Sequence, residues 1–183
     1  QGIQENWLMA ATSKHFPGDG YDDRDQHHVT TINGLTVSDW WNSYGRVWQA
    51  TIDEGVNAVM IGHIAFPDYV SGIAKSDPSL PATLSSELQE KLLREELGFR
   101  GVVVTDGSFM GGLVARVNPE DRAVSNIEAG ADICLLPETI YDFKMIEKAV
   151  TSGRLKEDRI RESARRILEM KARLRIHESP FMP

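Results

Sequence analysis

Cysteine is nearly absent from the sequence, with Cys134 standing alone. A single thiol excludes an internal disulfide framework and a cysteine-rich zinc site. Its neighbours, ADICLLP, read as a packed strand, so the thiol is expected to be inert. Long apolar runs are missing too. No stretch approaches the roughly 20 residues that cross a bilayer, so no membrane role is expected. Positive charge is in the minority: 20 Lys and Arg face 27 Asp and Glu, for a net charge of −7. Nucleic-acid affinity comes largely from clustered cations on phosphates, so a nucleic-acid partner is excluded and a small or uncharged substrate fits better. The opening QGIQENW lacks the basic-then-apolar grammar of a signal peptide, which makes the cytoplasm the expected compartment. Because the chain opens on glutamine, a leader or a larger N-terminal portion could precede it. The glycine-rich GSFMGG has no P-loop lysine and no G-x-G-x-x-G spacing, and the Asp and His residues show no H-E-x-x-H pattern. Neither a metal nor an organic cofactor is therefore implied.

What is present is an alternation. Four times a short apolar segment passes through a loop into an amphipathic segment, the pattern of a parallel α/β architecture. Strands are expected within Trp7–Ser13 and at Asn57–Gly62, Gly101–Thr105 and Asp132–Leu136. Helices are expected within Ser38–Glu54 and at Ser85–Leu97, Pro119–Ala129, Ile140–Thr151 and Glu157–Arg175. Ser86 and Gln89 resemble a capping box, with Leu84, Leu88, Leu92 and Leu93 on one face and Gly98 as a stop. Ile140, Phe143, Ile146 and Val150 should form the inner side of one helix. Ile160, Ala164, Ile167, Leu168 and Leu174 should form that of the last. Trp40, Trp41, Tyr44 and Trp48 have helical spacing and read as a buried stripe rather than a sugar-stacking platform.

Four such units make half of an eight-stranded (β/α)8 barrel, whose usual length is about 250 residues. A half-barrel has two open strand edges. Residues 1–183 are therefore expected to be the C-terminal half of a barrel whose N-terminal half is absent, or a piece that pairs with another copy. An independent open sheet is the alternative.

In barrels the reacting groups come from the C-terminal ends of strands. The first expected strand runs into Lys14 and His15, the second into His63 and the third into Asp106. A carboxylate directly after Val-Val-Val-Thr does little for packing, because its burial needs a compensating partner. The plain alternative for Asp106 is a helix N-cap. The loop after the first strand supplies Asp19, Asp22, Asp23, Asp25, His27 and His28. Asp25 and His27 can pair if the loop folds back, the carboxylate orienting the ring and stabilising its protonated form.

The run KHFPGDG, four further residues, and then DQH is similar to the signature of the β-N-acetylglucosaminidase branch of glycoside hydrolase family 3. VMIGHIAFP, PATLS, LLREELGFRGVVVTD and the D-x-x-x-M pattern of TDGSFM extend the likeness. The resemblance implies a retaining glycoside hydrolase acting on a small saccharide. Asp106 would be the nucleophile and His27, held by Asp25, the acid/base. Lys14 and His15 would hold sugar hydroxyls, and His63 would line the same subsite. Asp19 stands where the family often has a sugar-contacting histidine. The family's upstream Asp and Arg sugar ligands have no match here. The resemblance also leaves room for a phosphorylase of the same family, and for a non-catalytic half-barrel that binds a saccharide or a partner chain.

Overall fold

A computed structural model describes residues 3–7, 9–74 and 76–178, with the backbone only of Trp7 and Thr139. Four parallel strands form one sheet in the order β1 (Thr12–Phe16), β3 (Ala58–Ile61), β5 (Val102–Gly107) and β6 (Ile133–Leu135). Two short strands, β2 (Thr31–Ile32) and β4 (Ile64–Ala65), pair in parallel just beyond the ends of β1 and β3. Helices α1 (Val37–Trp40) and α2 (Arg46–Asp53) are joined by a π turn at Trp41–Gly45. Then come α3 (Pro67–Ile73), a π-wound helix at Glu87–Glu96, α4 (Gly111–Val114), α5 (Pro119–Ala129), α6 (Thr139–Thr151) and α7 (Glu157–Arg173).

Helices cover one face of the sheet. Val59, Ile61 and Val103 point into a core filled by Phe16, Trp40, Trp48, Leu88, Leu92, Leu93 and Phe99. Full burial of side chains of this size stabilises the fold by roughly 1.5–3 kcal/mol each. The register partners Met60 and Val104, one residue along from that inner row, are only half-buried, as is Ile133 beside Val104. One sheet face is thus packed and the other is partly open, as expected for part of a barrel. Among the described residues no helix is long and apolar enough to cross a membrane.

Several expectations are corrected. The first strand starts at Thr12 and contains Lys14 and His15 rather than stopping before them. Glu5–Trp7 is a 3-10 turn, and Leu8 lies outside the described residues. The capping box is displaced by one residue: Ser85 Oγ accepts from Leu88 N at 3.3 Å, while Gln89 donates to the Ala82 carbonyl at 2.8 Å. Gly98, at φ +74°, ends that helix as expected. In α6 the expected inner residues Ile140 and Phe143 are 75% and 65% exposed, and only Ile146 and Val150 pack inward.

In α7, Leu168 is 63% exposed and Ala164 is exposed as well. The reason is that α7 docks through charge. The fully buried Asp132 carboxylate, at the start of β6, takes Arg94 Nη2 at 2.9 Å, Arg166 Nη1 at 2.9 Å and Ser163 Oγ at 2.7 Å. A periodicity count that weighs only apolar residues misses such a seam.

Candidate active site

The loop KHFPGDG is held from below by the aromatic helix pair. Trp40 and Trp48 both donate their indole N–H to the Pro17 carbonyl, at 2.9 and 3.0 Å. The two rings are buried and pack edge-on against Phe16. They are core, as their spacing implies, and they also fix the height of the loop. Tyr44 donates to the Asp19 carbonyl at 3.1 Å, and Asn33 donates to that of Gly18 at 3.2 Å. Gly18 has φ +145°, and a Cβ there would overlap the Tyr44 ring, so the position admits only glycine without strain.

Above this support, Asp106 projects from the C-terminal end of β5. Its Oδ1 accepts from Gly107 N at 2.8 Å, and its Oδ2 lies 3.4 Å from His15 Nε2. The other His15 nitrogen, Nδ1, lies 3.3 Å from Asp19 Oδ2. His15 therefore sits between two carboxylates. Carboxylates only accept, so a neutral ring serves one of them at a time and a protonated ring serves both. Lys14 is exposed on the same strand.

Asp25 Oδ1 accepts from the His27 backbone N–H at 2.9 Å and lies 2.7 Å from His27 Nδ1. The backbone donor and the ring together hold the Asp25 carboxyl below the usual carboxylate range. With its proton held at Nδ1 by the carboxylate, the ring turns Nε2 outward. The pair is open to solvent, at 62% and 58% side-chain exposure.

Their loop is not loose. Gly111 N donates to the His27 carbonyl at 2.8 Å, Gly112 N donates to the Gln26 carbonyl at 3.0 Å, and Thr30 Oγ1 donates to the Gly112 carbonyl at 2.7 Å. A Cβ on Gly111 would overlap the His28 carbonyl, and one on Gly112 would stand 2.8 Å from both the Gln26 carbonyl and His63 Cβ. The glycine pair of GSFMGG thus permits the close approach of two loops.

His63 is fully buried. Its Nε2 lies 3.1 Å from the Gly107 carbonyl, which can only accept, so Nε2 carries the proton and Nδ1 accepts from Thr83 Oγ1 at 3.0 Å. Burial pushes its pKa down, against a smaller upward pull from the Gly107 carbonyl and the Asp106 charge. Showing no surface, it reaches the site through Gly107.

Asp106, His15, Asp19 and the Asp25–His27 pair therefore gather at one end of the sheet. Sequence reasoning missed Gln26, Thr83, Gly111 and Gly112. The glycine pair was the available signal, since adjacent glycines after a strand end often mark a close backbone approach. Among the described residues no group of three His, Cys, Asp or Glu side chains could hold a metal ion. Cys134 is packed: burial raises its thiol to a pKa of about 11.

The "Glycosyl hydrolase family 3 N terminal domain" model matches residues 1–170. A β-N-acetylglucosaminidase/β-glucosidase from Cellulomonas fimi is 41% identical over 181 residues, which is 96% of this chain and 32% of that protein. A β-hexosaminidase from Methylobacillus flagellatus is 33% identical over 136 residues, 74% of this chain and 36% of that protein. Among solved structures, a family 3 β-N-acetylglucosaminidase from Paenibacillus superposes with a TM-score of 0.89 at 35% identity, covering 100% of this chain and 34% of that one. The β-glucoside phosphorylase BglX does so at 0.90 and 35%, covering 97% and 33%. The chain thus spans about a third of the length of these relatives. It is an α/β domain with a parallel sheet, covering part of a barrel-type domain, and it belongs to glycoside hydrolase family 3.

Proposed function

We propose that this chain carries the reacting groups of a retaining glycoside hydrolase that releases terminal β-linked N-acetylglucosamine, or a related hexosamine, from a small saccharide. Asp106 attacks the anomeric carbon while the bond to the leaving oxygen breaks. That oxygen takes the proton from His27 Nε2. In the second step His27 removes a proton from water, the water oxygen bonds to the anomeric carbon, and Asp106 leaves as a carboxylate. Asp25 supports both steps by keeping the Nδ1 proton and stabilising the charged ring. An imidazole here replaces one of the two carboxyl groups that glycosidases usually employ. Lys14, His15 and Asp19 bind sugar hydroxyls, with His15 also facing Asp106. His63 braces the base of the site through Gly107. The remaining strands of the barrel, from a longer chain or another copy, close the open sheet face.

The observation that carries this reading is the tie between the two loops: five residues after Asp106, Gly111 N holds the His27 carbonyl at 2.8 Å. Proton donor and nucleophile are thereby tethered to each other at one end of the sheet. The test is turnover of a chromogenic β-N-acetylglucosaminide by the full-length protein. Asp106→Asn should lower kcat by about 10³-fold or more. A rate within a few-fold of wild type removes the nucleophile assignment. Saccharide binding with no turnover by the unmodified protein would instead favour a non-catalytic module.

A second reading rests on the likeness to a β-glucoside phosphorylase. Phosphate would replace water in the second step, and an imidazole repels it less than a carboxylate would. Sugar 1-phosphate formed in phosphate buffer would support it. Free sugar released at the same rate without phosphate would remove it.

A further inference from the structure

Gln26 lies between Asp25 and His27 in the sequence, and it behaves unlike either neighbour. Both of them are exposed, whereas Gln26 is 6% exposed. Its side-chain oxygen accepts from the His63 backbone N–H at 2.6 Å, and its side-chain nitrogen donates to Asp19 Oδ2 at 2.9 Å. Chemistry fixes this orientation, because a backbone N–H only donates and a carboxylate only accepts. Its own carbonyl accepts from Gly112 N at 3.0 Å. Gly62 makes room for the amide: a Cβ there would stand 2.8 Å from Gln26 Oε1. One residue therefore joins the Asp19 loop, the end of β3 at His63 and the segment after Asp106.

We propose that Gln26 is the positioning residue of this site, a buried clamp that sets the height and orientation of His27 relative to Asp106. The proposal rests on the assignment of Asp106 and His27 given above. Among the described residues the His27 ring is held by Asp25, which is itself exposed. The backbone at residues 26 and 27 is the part anchored to the rest of the site, through Gly111, Gly112 and the Gln26 amide. Breaking the amide's two bonds leaves the His63 N–H without its partner, leaves Asp19 Oδ2 with His15 alone, and frees the loop to rise. A displacement of about 1 Å in a reacting group is enough to cost on the order of 10²-fold in rate. The larger loss should fall on the proton transfer, because Gln26 is continuous with the His27 backbone, whereas it reaches Asp106 only at one remove, through Asp19 to His15 and through His63 to Gly107.

The test uses the full-length protein with aryl β-N-acetylglucosaminides of graded leaving-group ability. Gln26→Leu keeps the volume and removes both bonds. Gln26→Glu keeps the acceptor for His63 N, removes the donor and sets a second carboxylate against Asp19. Each should lower kcat/KM for the phenyl glycoside by about 30-fold or more, and that for the 2,4-dinitrophenyl glycoside, which leaves without a proton, by less than about 3-fold. Equal losses on both substrates overturn the proposal, since a loosened or partly unfolded protein loses every substrate alike. Unchanged rates on both overturn it as well. If Gln26→Leu fails to fold in a thermal melt, Gln26→Glu decides by the same ratio. The parent assignment is separated by Asp106→Asn. If that variant is inactive and the Gln26 variants show a flat profile, only the clamp falls; if it keeps its rate, both fall.

Discussion

Gly111 donates its backbone N–H to the carbonyl of His27 at 2.8 Å, 84 positions away in the sequence, and a side chain at Gly111 would overlap the neighbouring His28 carbonyl. The loop that bears His27 thus rests on bare backbone. Gly111→Ala should push it away. We expect kcat/KM for glycosides with poor leaving groups to fall by about 10-fold or more, with activated substrates affected less. Steady-state kinetics on the two substrate classes measures this, and equal activity of Gly111→Ala and wild type on both would count against the close approach.

The Pro17 carbonyl has two indole donors, Trp40 at 2.9 Å and Trp48 at 3.0 Å. Removing one leaves a buried oxygen with a partner, whereas removing both leaves it with none. Trp40→Phe and Trp48→Phe should therefore be worse together than the sum of the single effects, with a coupling of about 1–2 kcal/mol. A double-mutant cycle in urea provides the number. Simple additivity would show that the two bonds act independently.

Asp132 is buried with three arginines: Arg94 and Arg166 at 2.9 Å and Arg159 at 3.6 Å. Asp132→Asn removes the one negative charge they share. Breaking a buried pair leaves uncompensated charge, so a loss of about 3–5 kcal/mol is expected. The cluster lies at the start of β6, away from the ends where Asp106 and His15 stand. Whatever fraction remains folded should keep the KM of wild type. Chemical denaturation and KM, measured together, check both halves of the expectation.

Burial depresses the pKa of His63 below its ordinary value of 6.5. The unfolded chain then takes up a proton before the folded one does. Stability from this residue is complete above pH 6.5 and is lost as pH falls from there through the lower folded value. Asp25 is depressed as well, but its window opens only below its ordinary 3.8. Between pH 7.5 and 5 the urea midpoint should therefore fall in the wild type and fall less in His63→Gln. An equal slope in the two proteins would assign the pH dependence to other groups.

Much of this was legible in the sequence. Pro119 and Ala129 bound α5 as expected, because proline suits a first helical turn. Val102, Val103 and Val104 announce β5, since an uninterrupted β-branched run suits a strand inside a parallel sheet. The Asp25–His27 pair could be proposed because two positions of separation let a carboxylate reach a ring within one turn. What sequence spacing alone left open was every relationship between distant residues. Nothing local says that Leu168 faces solvent. That follows from Asp132 drawing Arg159 and Arg166 to the docked face of α7.

The contrast is sharpest at the site. The sequence by itself determined the main helices, three of the four strands of the larger sheet and which strand ends carry ionisable groups, because periodicity and turn chemistry act between neighbours a few residues apart. The short β2, β4, α3 and α4 carry too few residues to show a period. Only the tertiary structure decided that His15 stands between Asp19 and Asp106, that His63 is sealed beneath Gly107, and that Gln26 bridges three segments. Hydrogen bonds depend on positions in space to within a few tenths of an ångström, and the pairings made here join residues up to 86 positions apart.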